Sequence, residues 1–427
     1  MVVLALIVLA LVLLILGAEM FLVMGIPSLL VKHQFFSDLP DLIVGQRIVG
    51  GVEVVTLMAI PFFIFAADIM AKGRMAGDLA TLFRLMVGSV RGGIGYSTVI
   101  ANMAFGAASG SAPATVAAMG RMAYPELRKN GFSEKFSLGL IASSAECALL
   151  IPPSISFVVY SWLTGTSIAK LFAAGLGVGL VLGLAFMVLV AIETARHRIG
   201  APAGATAGER LAAVRRAVWV IGLQVIVLGG IFGGVFTATE AAAVSVVYAS
   251  VVEVVILRSI SPRAFFAIAK SSAVSTSVIF ILLAMGALLA YFLTLSGVDV
   301  WFLQQIKASG IHWVYFLMSV NVIFLLAGMF LDPNSIMLIF LPTLFPVAMA
   351  LGVDPIHFGV LVVLNVCIGM ITPPFGLDLF VTSGTLKRPV EAVVAGIVPF
   401  IMVNLVVLAL VSYIPALSTT LPQLLKL

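Results

Sequence analysis

Two pairs of adjacent prolines interrupt stretches that are otherwise apolar enough to cross a membrane. The first is Leu150-Ile151-Pro152-Pro153-Ser154 and the second is Ile371-Thr372-Pro373-Pro374-Phe375. Each pair removes two backbone donors and crowds the preceding turn, so a helix does not run through it unchanged. In lipid such a break survives only when it is buried in protein or lines a watery cavity. Paired breaks in two halves of a membrane chain point to a transport site.

The rest of the chain fits that class. Of its 427 residues, 62% are hydrophobic and 10% charged. The mean hydropathy is +1.24. Apolar runs of about 20 residues recur along the whole length, as an all-α polytopic membrane protein requires. The ten-residue alternation of a β-barrel is missing. Val2 to Leu16 lacks a basic flank and a cleavage site, so it reads as a retained helix and not a signal peptide. The net charge of +5 reflects loop lysines and arginines that set orientation, and it points to no nucleic-acid partner. Cys147 and Cys367 sit in apolar runs and read as packing residues. The four histidines lack metal-ligand spacing, and no phosphate-binding loop is present. Neither an enzyme nor an ATP-driven pump is indicated, and no cofactor is expected.

The punctuation repeats at a shift of 221 residues. Pro125 meets Pro346, Gly131 meets Gly352, Pro152-Pro153 meets Pro373-Pro374, and Glu19 meets Glu240. Two repeats are inferred, at 1–205 and 217–427, joined by a cytoplasmic linker at 206–216. Arg121, Arg128, Lys129 and Lys135 crowd the loop around Pro125–Gly131, whereas the loop around Pro346–Gly352 carries no Lys or Arg. The loops after the breaks reverse the bias, with Lys387 and Arg388 in the second. Equivalent loops on opposite sides imply inverted topology.

In chain order, two short helices meet at Gly17-Ala18-Glu19, and Ile48–Met70 reads as one span. Residues 92–120 carry Gly106-Ala107-Ala108-Ser109-Gly110-Ser111-Ala112-Pro113 in mid-run and read as a re-entrant hairpin. Its arms of about 10–14 residues reach half a bilayer. The other reading is one helix kinked by packed glycines. The broken helix follows at about 133–168, with Ser133 as its N-cap. The second half repeats the plan, with a hairpin at about 313–349 and a broken helix at about 356–386.

Two tips and two breaks entering from opposite faces would meet near the midplane. Free carbonyls there suit a cation, and helix N-termini suit an anion. Ser109 and Ser111 supply hydroxyls at the first tip. Asp332, Asn334 and Ser335 supply polar groups at the second, and Thr372 sits at the second break. Intramembrane acids are costly and are candidates by default. Glu146, Glu240 and Asp332 read as coupling or bracing acids. Glu240 follows Thr237-Ala238-Thr239 and reads first as a capping carboxylate.

These motifs resemble a known family. Ala108-Ser109-Gly110-Ser111-Ala112, Ile151-Pro152-Pro153-Ser154-Ile155, Gly233 to Ala243, Phe330-Leu331-Asp332 and Gly369 to Gly376 look like the large membrane subunit of TRAP (tripartite ATP-independent periplasmic) transporters. The match runs in order and nearly end to end. It implies Na⁺-driven uptake of an organic acid such as a C4-dicarboxylate or sialic acid, in a bacterial inner membrane. It also implies a scaffold, an elevator-type transport domain, a small four-helix membrane subunit and a periplasmic substrate-binding protein. Carried over, Na⁺ would be held by Ser109, Ser111 and the backbone of Ala148, Ile151 and Pro152 in one half. In the other half the positions are Gly328, Gly369 and Thr372. Substrate would meet Ser109, Gly110, Pro153, Ser154, Asp332, Asn334 and Pro374. The chain departs from the family at Ala145-Glu146-Cys147-Ala148, usually a Gly/Thr/Leu/Gly-like run, and at Glu19, where proline is common. The other functional reading is a stand-alone Na⁺- or H⁺-coupled anion carrier.

Overall fold

A computed structural model describes residues 2–202 and 204–427. Among these the chain is helical and holds no strand. The first half contains α1 (Val2–Ile15), α2 (Met20–Phe35), α3 (Leu42–Gly50), α4 (Ala59–Lys72), α5 (Met75–Val87), α6 (Gly93–Ser109), α7 (Ala112–Lys129), α8 (Glu134–Glu146), α9 (Ile155–Thr164) and α10 (Ile168–Arg196). Then come α11 (Ala207–Phe232), α12 (Ala238–Ser250), α13 (Pro262–Leu295), α14 (Val298–Ser309), α15 (Trp313–Gly328), α16 (Pro333–Ala350), α17 (Pro355–Ile371), α18 (Leu377–Leu386), α19 (Val390–Tyr413) and α20 (Ala416–Leu424). Seven helical stretches among the described residues are long and apolar enough to cross a bilayer.

Burial sorts these helices. Every residue of α8 from Phe136 to Glu146 is buried, as is every residue of α17 from His357 to Ile371. A helix apolar all round belongs at the centre of a bundle. By contrast α1, α11 and α19 leave Leu11, Val225 and Val406 among their exposed apolar side chains, as lipid-facing helices do. The helices that end at the two breaks are therefore the innermost ones. They are pinned by close crossings. A Cβ on Gly139 of α8 would lie 2.2 Å from the Gly396 carbonyl oxygen of α19, and one on Gly359 of α17 would strike the Tyr160 ring.

Several helix starts carry side-chain caps. Ser133 accepts from Phe136 N, and Asp354, 221 positions later, accepts from Ile356 N and His357 N. Thr206 and Glu209 form a capping box at the start of α11, as Thr237 and Glu240 do at α12.

Several expectations are corrected. Ile48–Met70 is not one span, because α3 stops at Gly50 and a 3₁₀ turn at Val55–Met58 precedes α4. The chain turns where Gly51 touches α13, with an added Cβ only 2.4 Å from that of Ala287. Residues 207–216, read as linker, are the first turns of α11. Pro125 lies inside α7, so the loop that follows is only residues 130–133. The first hairpin's arms have 17 and 18 residues, longer than expected, or about 25 Å each.

The N-terminus of α5 is capped from far away. Glu253, buried in a π-helical turn at Val251–Ile256, accepts from Met75 N at 2.7 Å and Arg74 N at 3.0 Å. Removing that carboxylate leaves two N–H groups unpartnered in an enclosed site. Glu253→Ala is expected to lower stability by about 1–3 kcal/mol. The check is a lower melting temperature with faster amide exchange at Arg74 and Met75. Unchanged exchange there would contradict the capping role.

Candidate functional site

Pro152 and Pro153 remove the N–H groups that a continuing helix would aim at the carbonyls of Ala148 and Leu149. The helix answers by tightening. Cys147–Leu149 is a 3₁₀ turn, and Ile151 N reaches Cys147 O at 2.9 Å. The Ser154 hydroxyl donates to Leu149 O. The helix resumes as α9, and the Pro152-Pro153 bond is cis.

The tip of the first hairpin sits on this break. Gly110 has φ +60°, and a Cβ there would lie 2.7 Å from Pro153 O. A Cβ on Gly106 would lie 2.6 Å from that of Ala148. Only glycine lets the backbones approach so closely. Ser111 caps α7, accepting from Ala114 N. Ser109 is 2% exposed and shares a 3.0 Å hydrogen bond with Thr115 Oγ1. Thr115 in turn donates to Ser111 O. The tip is thus a compact knot of three hydroxyls.

The second half repeats the arrangement. α17 ends at Ile371, α18 begins at Leu377, and the Pro373-Pro374 bond is cis. Thr372 N reaches Gly369 O at 3.0 Å, and the Thr372 hydroxyl donates to Ile368 O at 2.6 Å. A Cβ on Gly328 at the second tip would lie 2.7 Å from the Cα of Gly369. The Phe330 ring lies 5.6 Å from the Phe375 ring, joining tip and break on an exposed face. Asp332, 221 positions after Ser111, caps α16 by accepting from Asn334 N and Ser335 N. It also accepts from the Ser335 hydroxyl. The Asn334 side-chain oxygen is buried without a partner.

The halves are interlocked. The returning arm α7 of the first hairpin packs on α18 beyond the second break. The arm α16 of the second hairpin packs on α9 beyond the first, where Tyr160 and Phe345 meet edge to face. Beside the first hairpin a cavity of about 260 Å³ is lined by Thr81, Arg84, Thr98, Asn102 and Glu126.

Most of the residues singled out from sequence fall within this assembly. Ser109, Gly110, Ser111, Ala148, Ile151, Pro152, Pro153 and Ser154 meet at the first tip and break. Gly328, Asp332, Asn334, Gly369, Thr372 and Pro374 belong to the second. Glu146 ends α8 and accepts from Asn404 Nδ2 of α19 at 2.6 Å, fully buried. Glu240 stands apart. It is exposed and accepts from Thr237 N in its capping box, the structural role read for it first. The sequence reasoning missed Thr115 and Asn404. Thr115 was the more accessible of the two, lying one helical turn beyond Ser111.

A multi-pass helical protein with hairpins seated on broken helices has the architecture of a membrane transporter. The fold resembles the crystal structure of the Alcanivorax borkumensis YdaH transporter, described as having an unusual topology. The TM-score is 0.65 at 13% identity, over 86% of each chain. The family described as "Tripartite ATP-independent periplasmic transporter, DctM component" matches residues 7–417. The chain is 37% identical to the ectoine TRAP transporter large permease protein TeaC of Halomonas elongata, over 96% of this chain and 97% of that one. It is 40% identical to the C4-dicarboxylate TRAP transporter large permease protein DctM of Pseudomonas aeruginosa, over 86% of each. The chain belongs to the DctM family, the large permease subunits of TRAP transporters. It is a multi-pass protein of the bacterial inner membrane, in a family that is not enzymatic.

The glycine contacts generate a prediction. Gly110→Ala and Gly328→Ala force a methyl into backbone and are expected to cost about 1–3 kcal/mol each. Gly384→Ala, on α18 with nothing within 4 Å of its Cβ, should cost nothing. Melting curves of the three variants in detergent check this. Equal melting for all three would contradict the seating of tips on breaks.

Proposed function

We propose that this chain is the substrate-translocating subunit of a TRAP transporter that takes up a carboxylate-bearing solute, driven by a Na⁺ gradient. Two inverted repeats, 1–205 and 217–427, each supply one hairpin and one broken helix. The hairpins and breaks move together as the transport domain of an elevator. A periplasmic binding protein delivers the solute, and a small four-helix membrane subunit completes the assembly.

The observation that carries this reading is the pair of tips seated on breaks. Each unit brings a helix N-terminus, with Ser111 or Asp332 at its cap, beside carbonyls that proline has deprived of donors. Oxygen-rich, partly dehydrated backbone suits a hard cation such as Na⁺. The starts of α9 and α18, which no side chain caps, suit a carboxylate. Arg84, Thr98 and Asn102 give the neighbouring cavity groups that can receive an anion, with Glu126 on its wall. Relatives named for C4-dicarboxylates support the substrate class, and others are named for ectoine, so the reading stops at a carboxylate-bearing solute.

Two measurements test it. The melting temperature of the purified chain is expected to rise with Na⁺ and not with K⁺ at equal ionic strength. A ligand at about 100 times its Kd adds roughly 2.7 kcal/mol to stability. In the reconstituted system, Thr372→Val is expected to abolish uptake while the protein stays folded. Identical melting in both salts would contradict Na⁺ coupling, and uptake of free solute by this chain alone would contradict the tripartite reading.

A further inference from the structure

A polar cavity lies where α10 ends, at the opposite end of α6 from the first hairpin tip. It measures about 550 Å³, and its walls include Arg91, Tyr96, Thr194 and Arg198. Two turns of the chain bring the arginines together. α10 ends at Arg196, and Ile199 N returns to Thr194 O at 3.0 Å, with Arg198 at φ +50° on the way. Ile199 is buried and holds that turn down. Gly92, at φ +69°, lies against it from the start of α6, where an added Cβ would stand 2.1 Å from Thr194 Oγ1. Arg91 precedes Gly92 and so faces the same cavity as Arg198.

The cavity is electropositive and unneutralised. Neither Arg91 nor Arg198 forms an ion pair among the described residues. Glu193, the acid next to Thr194, instead has a carboxyl oxygen 3.3 Å from His197 Nδ1. Thr194 is 7% exposed, and its hydroxyl is enclosed without a partner. No side chain caps the start of α6 beside it, so the positive end of that helix adds to the field.

An apolar track leads to this cavity. Leu180, Leu184, Val188 and Ile192 of α10 are all exposed. At a spacing of four residues they lie on one face of the helix. The stripe is roughly 18 Å long, on the scale of the roughly 15 Å of hydrocarbon in one leaflet. It runs up to Ala195, on the cavity wall. By the positive-inside rule this arginine-bearing end of α10 faces the cytoplasm, where the leaflet carries anionic lipid.

We propose that the cavity binds the phosphate of an anionic phospholipid of the cytoplasmic leaflet, with an acyl chain along the stripe. Arg91 and Arg198 receive the phosphate oxygens, as guanidinium groups do in fork geometry. A free phosphate would satisfy the arginines and leave the stripe unused, so the lipid accounts for both features. Arg91 leads into α6 and Arg198 follows α10, so the bound head group fastens the first arm of the hairpin to α10 at the membrane surface.

The test is native mass spectrometry of the purified full chain, titrated separately with phosphatidylglycerol, phosphatidylcholine and inorganic phosphate. The wild type should retain phosphatidylglycerol in preference to phosphatidylcholine. Arg91→Gln and Arg198→Gln should each weaken that retention about fivefold. Both arginines are exposed, so the variants should melt as the wild type does without lipid. Val188→Asn, on the stripe, should also weaken retention although both arginines remain. Arg263→Gln, at the exposed start of α13, should bind as the wild type does. Equal retention of the two lipids would overturn the proposal, as would equal losses in Arg263→Gln and Arg91→Gln. Retention unchanged in the Arg91→Gln/Arg198→Gln double variant would overturn it too. Inorganic phosphate held through the arginines, with no retention of phosphatidylglycerol, would refute the lipid and assign the cavity to a free anion.

Discussion

A carbonyl in the bilayer core has no water to turn to when the donor it expects has become a proline ring. The fold depends on how four such carbonyls are managed. Two helices, α8 and α17, are surrounded by protein on every side, and each runs into a pair of prolines. Some of the freed groups are recovered locally. Ser154 donates to Leu149 O, and Thr372 N turns to Gly369 O. What remains is sheltered by a hairpin tip pressed so close that glycine is required at Gly106, Gly110, Gly328 and Gly369. The breaks dictate the tips, and the tips dictate the small residues.

The second consequence is a network between distant parts of the chain. The Tyr160 hydroxyl after the first break donates to Pro355 O, at the start of the helix that leads to the second. Asn365 of α17 donates to Asn321 of α15, which donates to Ser412 of α19. Asn404 of the same α19 holds Glu146. Each hairpin's returning arm lies against the helix beyond the other break. This crossed packing ties hairpins and breaks together, as the proposed elevator requires.

Much of this was legible in the sequence because its causes are local. Proline pairs, the small-residue tip at Gly106–Pro113 and the caps Ser133 and Asp332 each announce themselves within a few residues. The 221-residue shift that pairs Pro152 with Pro373 also pairs the caps Ser111 with Asp332 and Ser133 with Asp354. What stayed hidden depends on partners far along the chain. Nothing near Asn404 signals a bond to a residue 258 positions earlier. Nothing near Glu253 signals the capping of α5. The stop at Gly50 was missed because hydropathy continues smoothly across it, while contact with Ala287 sets the turn. The linker was misread because Pro, Ala and Gly around 201–208 outweighed the Thr206–Glu209 capping box just beyond.

The central claim is that each hairpin tip stays on its break through the transport cycle. The most direct measurement ties them covalently. Phe330→Cys and Phe375→Cys, placed where two exposed rings stand 5.6 Å apart, would be bridged by a short thiol cross-linker, with Cys147 and Cys367 replaced by alanine. Uptake by the bridged protein in the complete system should match that of the unbridged one, because tip and break move together. Uptake lost on bridging and restored on cleaving the linker would show that they separate, and would contradict the account.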